Sequence, residues 1–178
     1  MRFSKKKYYC NGIDWIAAAL NYQCRLTPAR GNNFLIVLEL GAKFSAAGKA
    51  RLLNACHTIL PMLGGSIRRA WHLAPYWRPD DAPEVPFSES CAADENAADS
   101  ALHIFANEPL PKKTSIGIKL ISRSGAERLI FKFSHLLFDG RGAELLLKSI
   151  DGEDMETITA HQGLPMPGLD GWQDKFQA

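Results

Sequence analysis

The clearest alternation of apolar and polar positions runs from Arg128 to Ser134, where Leu129, Phe131 and Phe133 alternate with Ile130, Lys132 and Ser134. A period of two is that of a strand with one face on a core. His135 continues the parity of the apolar set, so a strand that ran on would turn its imidazole to the covered side. Asp139-Gly140 is a turn pair, and Ala143, Leu145, Leu146, Leu147 and Ile150 then cluster as a short helix requires. Upstream, Ser115 to Ser122, with Ile116, Ile118 and Leu120 alternating, and Glu127 to Ser134 predict a hairpin around Arg123-Ser124-Gly125. The second arm of that hairpin delivers His135.

Phe34 to Leu40 is a near-continuous apolar run of strand length, which predicts a central strand covered on both faces. Ile13 to Leu20 reads as a short helix or an irregular packed segment. Ser45 is placed to cap a helix whose face is Leu52, Leu53, Cys56, Ile59, Leu60 and Leu63, and Pro61 should end it near Leu60. After Gly64-Gly65, Ile67, Arg69, Trp71 and Leu73 alternate with Arg68, Ala70 and His72, predicting one strand to about Trp77. The acidic stretch from Asp80 to Asp99, with Pro83 and Pro86, reads as a surface loop. Leu102 to Phe105 reads as a short strand and Asn107 to Pro111 as an extended connector. Beyond Ile150 the chain turns acidic and then rich in Gly and Pro. One domain over residues 1–150 is therefore expected, with 151–178 a linker or a tail docked by Trp172 and Phe176.

Composition adds little to the class. Hydrophobic content of 46% with 22% charge is that of a globular protein. No run of about 18 apolar residues is present, so no membrane span is expected. The N-terminal lysines Lys5, Lys6 and Lys7 lead into no evident cleavage site, and a soluble cytoplasmic protein is the expectation. Cys10, Cys24, Cys56 and Cys91 are scattered, with no Cys-x-x-Cys pair and no His at ligand spacing, so neither a metal site nor disulfides are expected. Cys56 falls on the apolar helical face. Charge distribution is more informative than net charge: residues 1–78 hold 12 Lys and Arg against Asp14 and Glu39, whereas residues 79–99 hold seven acids and no base. The basic half would suit an anion, such as the phosphates of coenzyme A or an acidic carrier protein; a solvated surface is the plainer reading. The bases are not interleaved with aromatic residues, which argues against nucleic acid.

The candidate chemistry lies at His135. An imidazole at the end of a strand, beside a turn, suits acid–base work near neutral pH. Ser134 is no partner for it, because adjacent strand residues point to opposite faces, and no G-x-S-x-G elbow exists. His57, His72, His103 and His161 have no partners at useful spacing and read as surface or core fillers. Ser134-His135-Leu136-Leu137-Phe138-Asp139-Gly140 resembles the His-His-x-x-x-Asp-Gly motif of the chloramphenicol acetyltransferase-like acyltransferases, a superfamily that includes the condensation domains of nonribosomal peptide synthesis. The upstream strand–helix–strand order, with Leu52 to Trp71 in its middle, is similar to the opening of that fold.

The resemblance implies a mixed α/β sandwich, with a largely antiparallel sheet and helices on one face. It implies that His135 is the catalytic base, and that Asp139 organises the motif loop through an ion pair with an Arg. Arg25, Arg68, Arg69 and Arg141 are the candidates for that Arg. Gly140 would serve backbone geometry, through a positive φ or close approach to substrate. The implied reaction is acyl transfer from a coenzyme A or phosphopantetheine thioester to a hydroxyl or amine. The thioester acts as co-substrate, with no resident cofactor and no metal. Ser134 stands where the family has its first His. The likeness covers roughly residues 12–150, the first of two halves that enclose the family's substrate channel. Three expectations follow: an oligomer that completes the site, a separate second half-domain as partner, or a non-catalytic half-domain that binds a carrier protein or partner subunit. An unrelated α/β domain with a chance motif would instead bury His135 in a core without a channel.

Overall fold

The structure, a computed structural model, describes residues 8–10, 12–28, 30–59, 64–79 and 85–151. The expected tail from 152 onward, with His161, Trp172 and Phe176, lies outside the described residues, as do Leu60, Pro61 and Leu63 of the second helical pattern. In chain order the elements are β1 (Tyr8–Tyr9), α1 (Gly12–Arg25), β2 (Asn33–Leu40), α2 (Ala46–Ile59), β3 (Gly65–Arg69), β4 (Pro75–Pro79), β5 (Phe87–Cys91), α3 (Glu95–Asn107), β6 (Ile116–Arg123), β7 (Ala126–Ser134) and α4 (Gly140–Asp151). They form a four-stranded sheet in the order β2-β7-β6-β5 and a three-stranded sheet in the order β1-β4-β3.

The hairpin at the heart of the larger sheet is the one its alternation predicts. Ile116 pairs with Phe133 and Arg123 with Ala126, so a two-residue turn joins the arms. Gly125 sits in that turn at φ 79°, a conformation glycine adopts without steric cost. Odd-numbered Leu129, Phe131 and Phe133 of β7 and even-numbered Ile116, Ile118 and Leu120 of β6 bury one face against Leu52 and Cys56 of α2 and Ala143 and Leu146 of α4. The opposite face, through Ile121 and Ile130, packs on Ala98 and Phe105 of α3. The sheet is mixed and largely antiparallel, as expected. The helices, however, lie on both of its faces, not one. The reason is β5, which runs parallel to β6 and therefore needs a crossover connection; α3 is that connection.

The acidic stretch read as a loop thus contains β5 and the start of α3, and the supposed strand Leu102 to Phe105 is the inner part of that helix. Asp94 caps α3, its carboxylate accepting from the Ala97 N–H at 2.8 Å. Three acids of this stretch, Glu89, Glu95 and Asp99, are paired with bases. Arg128 on β7 bonds Glu39 at 2.5 Å, Asp99 at 2.7 Å and also Glu95, Arg123 bonds Glu95 at 2.5 Å, and Lys49 bonds Glu89 at 2.5 Å.

Three further expectations change. The run Phe34 to Leu40 is β2, but at the edge of the sheet with β7 as its neighbour, and Val37 and Leu38 are exposed. The strand expected from Ile67 to Trp77 is a hairpin. Ala70 to Ala74 fold back through the Ala70 N–H to Ala74 carbonyl bond of 2.8 Å, with Leu73 at φ 67°. The segment at Ile13 to Leu20 is fully helical and runs to Arg25. The helix after Ser45 forms as expected, with the Ser45 hydroxyl accepting from Gly48 N–H at 3.0 Å and Cys56 buried in the core.

Candidate functional site

β7 ends at Ser134 because its carbonyl turns away from the ladder and accepts from both Leu137 and Phe138 N–H groups, each at 3.1 Å. The Ser134 hydroxyl tightens the turn by accepting from Leu136 N–H at 3.3 Å, and its own N–H bonds the Ser115 carbonyl at 2.9 Å. Phe138, buried, packs its ring 5.0 Å from that of Phe133 and pins the turn to the core. Ser134 itself is buried.

His135 is therefore the first residue past the strand. Its N–H still donates to the Asn32 carbonyl at 3.0 Å, but its side chain is exposed, not turned to the covered side as its parity implied. The strand's alternation stops one residue earlier. The imidazole is held from two directions. Its ring lies against Phe34 with centroids 4.5 Å apart, and Nδ1 is 3.1 Å from the Phe138 carbonyl oxygen. A carbonyl oxygen only accepts, so Nδ1 carries the proton, and in the neutral ring Nε2 is left with its lone pair. The turn thus fixes both the direction and the tautomer of a base at the end of the sheet.

Asp139 caps α4. Its Oδ1 accepts from Gly142 N–H at 2.6 Å and its carbonyl from Ala143 N–H at 3.0 Å. No ion pair joins it to Arg25, Arg68, Arg69 or Arg141 among the described residues; its carboxylate is engaged by the helix N-terminus, which a negative charge also suits. Gly140 opens α4 without a positive φ, and a Cβ there would meet nothing within 4 Å. No contact among the described residues demands glycine there. His72 lies beside Tyr9 and Trp71, and His103 beside Asn107; neither neighbours His135. Among the described residues no three His, Cys, Asp or Glu side chains cluster as a metal site would require. No helix there is long and apolar enough to cross a membrane.

Behind the turn an open cleft of about 1140 Å³ lies between α1, β3 and the connector that follows α3. Ser134 and Leu136, on either side of His135, belong to its wall. Sequence reading missed the cleft, because its wall comes from segments far apart in the chain. Lys132 holds the connector side: almost fully buried, its ammonium donates to the carbonyls of Phe105 and Ala106 at 2.8 Å each and to that of Glu108. Burial pushes its pKa below the usual lysine range, opposed by Glu108. The β-strand period had placed Lys132 on a polar face; the signal it gave was a lone cation among buried neighbours.

No family model matches the sequence, and no curated protein does. Solved structures do match. The first condensation domain of the CDA synthetase superimposes with a TM-score of 0.68 at 13% identity, over 83% of this chain and 39% of that one. The starter condensation domain of the rhizomide synthetase RzmA gives 0.63 at 12% identity, over 82% of this chain and 38% of that one. The first condensation domain of the calcium-dependent antibiotic synthetase, in complex with a substrate analogue, gives 0.67 at 13% over 82% and 36%. The chain therefore has the fold of one part of a condensation domain and spans less than two-fifths of those chains' length. A chance motif on an unrelated fold is set aside.

Proposed function

We infer that a chain with this fold, carrying an imidazole held as His135 is, takes part in acyl transfer from a thioester to a hydroxyl or amine. The observation that carries the reading is the bond from Nδ1 to the Phe138 carbonyl, which leaves Nε2 exposed as a base. In the proposed step Nε2 takes the proton of the acceptor as its oxygen or nitrogen attacks the thioester carbonyl. The tetrahedral adduct then collapses, the carbon–sulfur bond breaks, and the imidazolium returns the proton to the departing thiolate. Asp139 and Phe138 act as positioning residues, by starting α4 and by fixing the ring. The thioester, on coenzyme A or a phosphopantetheine arm of a carrier protein, is a co-substrate.

An exposed base is poorly placed to keep water from a thioester, and catalysis of this kind gains from an enclosed site. A second body over the site supplies the other wall, either another copy of this chain or a separate half-domain. In favour of such a body, Trp15, Ile16, Leu20 and Tyr22 of α1 and Leu26 just after it are exposed, the first of them 45% and the last 69% accessible. Contiguous apolar surface on one helix marks an interaction site more often than a free face.

The test is thiol release from acetyl-coenzyme A by the purified chain, with its mass measured by light scattering on the same sample. Replacing His135 by Ala should lower turnover by about 10²–10⁴-fold without changing the mass, the range for a positioned base. Equal turnover in the variant would refute the base. A chain that binds a carrier protein but releases no thiol, alone or in its oligomer, would favour the second reading, a non-catalytic docking module.

A further inference from the structure

We propose that the outer edge of β2 pairs with the same edge of a second copy of this chain, antiparallel and about a two-fold axis at Val37, so that two four-stranded sheets become one. β2 has β7 on one side and no described strand on the other. Two bonds show which of its groups face outward. His135 N–H donates to the Asn32 carbonyl, and Ser134 N–H donates to the Ser115 carbonyl. Hydrogen-bonded pairs alternate along an antiparallel ladder, and the β2–β7 register runs unbroken from Asn33 opposite Ser134 to Leu40 opposite Glu127. Phe34, Ile36, Leu38 and Leu40 therefore bond β7. The N–H and carbonyl groups of Asn33, Leu35, Val37 and Glu39 point away from the sheet.

Edge strands are ordinarily blunted by brevity, by Pro or Lys, or by a bulge. The other edge of this sheet, β5, is of that kind: five residues, with Ser88 and Ser90 in it and Glu89 held by Lys49. β2 carries none of these devices. It is eight residues long, unbulged, and free of Pro and Lys. Its one ionisable side chain, Glu39, is bonded to Arg128 of β7 at 2.5 Å. Val37 and Leu38 are 39% and 37% exposed. Such an edge is a template for strand addition.

A second copy fits that template. With the axis at Val37, this residue faces its own copy in a bonded pair, and Leu35 faces Glu39 of the second copy. Ile36 faces Leu38 of the second copy in the closer, non-bonded pairs, so apolar side chains meet. The two Glu39 carboxylates stand four residues out of register, about 14 Å along the strands at 3.4 Å per residue, beyond a screening length of about 8–10 Å. No like charges meet, and every outward group from Leu35 to Glu39 finds a partner, as an isologous contact requires. The same register sets Phe34, whose ring lies against the imidazole of His135, opposite Leu40 of the second copy, so each copy lays a strand beside the other's motif turn. This contact is separate from the exposed face of α1, and it does not rest on the acyl-transfer reading, since pairing needs no turnover.

The experiment is light scattering of the full chain across a wide range of protein concentration. The expected mass at the upper end is twice the 19.7 kDa of one chain. Val37→Lys should return it to that of one chain, with circular dichroism unchanged, because like charges would face each other across the axis. Val37→Glu should do the same. A mixture of the two variants should recover the dimer, because opposite charges then face each other. Hydrogen exchange of the wild type gives a readout that needs no variant: the amides of Leu35, Val37 and Glu39 should slow on concentration, while those of Ile36 and Leu38, already bonded to β7, should not. A single-chain mass at every concentration, whether the edge stays in water or is covered by residues outside the described ones, would overturn the proposal. So would a trimer, a dimer that survives Val37→Lys, or variants whose mixture stays monomeric. Turnover lost in His135→Ala and mass lost in Val37→Lys are separate readouts, so each reading can fail alone.

Discussion

The most exacting test of the packing argument is Lys132→Met. Lys132 is 1% exposed, and its ammonium donates to three main-chain carbonyls at the end of α3. Methionine keeps the length and most of the apolar stem but leaves those carbonyls without this donor. A buried acceptor left unsatisfied costs about 1–3 kcal/mol, so three give a gross loss of about 3–9 kcal/mol, and the lower part of that range applies because two of the three contacts are only part-buried. Against this stands the desolvation of the ammonium, the cause of its lowered pKa, which the substitution removes. A net loss of about 2–3 kcal/mol follows, or roughly 5–10 °C in Tm for a protein of this size. Lys132→Ala sharpens the comparison. It removes more apolar stem, at about 0.8 kcal/mol per methylene, but opens room for water to reach the carbonyls. The two variants should therefore differ by no more than about 1 kcal/mol in urea denaturation followed by circular dichroism. A Met variant as stable as wild type, or an Ala variant several kcal/mol worse than Met, would refute the reasoning. Either result would mean that stem packing, not the ammonium, holds the wall of the cleft.

Other expectations follow from single contacts. Asp139→Ala should cost about 1 kcal/mol in thermal or urea unfolding and Asp139→Asn clearly less, because an amide oxygen still caps α4; equal losses would argue for an ion pair in place of a cap. Phe131→Ala, at a site 1% exposed between the sheet and α2 and α4, should cost about 3–5 kcal/mol by chemical denaturation. Burial pushes the Cys56 thiol up to about 12. In the native state iodoacetamide at pH 8 should therefore label exposed Cys91 and spare Cys56, as read by peptide mass spectrometry. The same raised value makes the Cys56 contribution to stability complete below about pH 9 and lost as pH rises towards 12, a slope that Cys56→Ala should remove from urea midpoints.

What the sequence determined by itself is local. The β6–β7 hairpin, its turn at Ser124-Gly125, the cap at Ser45, the helix after Asp139-Gly140 and the motif around His135 are written in near-neighbour periodicity and turn chemistry. Each of these needs only a few adjacent residues to be satisfied. The start of α3 was equally legible, in Asp94 followed by Ala98, Ala101, Leu102 and Phe105 at helical spacing. The density of acids hid it, because their partners Arg123 and Arg128 come from strands further along the chain. The β3–β4 hairpin was hidden for another reason: Ala70 to Ala74 contain none of the Gly, Asn or Asp residues that mark a tight turn.

Tertiary structure alone decided which strand is central and which is an edge, since an apolar run such as Phe34 to Leu40 reads alike in both places. It alone placed α3 on the second face, through a parallel pairing that no residue of β5 announces. It also decided the environment of the site. The parity of β7 sent His135 inward, and the carbonyl of Ser134, by closing a turn one residue earlier, left the imidazole exposed with Nδ1 bonded to Phe138. Arg25, Arg30, Arg68, Lys112 and Lys113, which line the cleft, lie on segments that meet only when two sheets and α1 are packed together. Periodicity reports which face of an element is buried, but charge converging from distant segments is a property of the assembled chain.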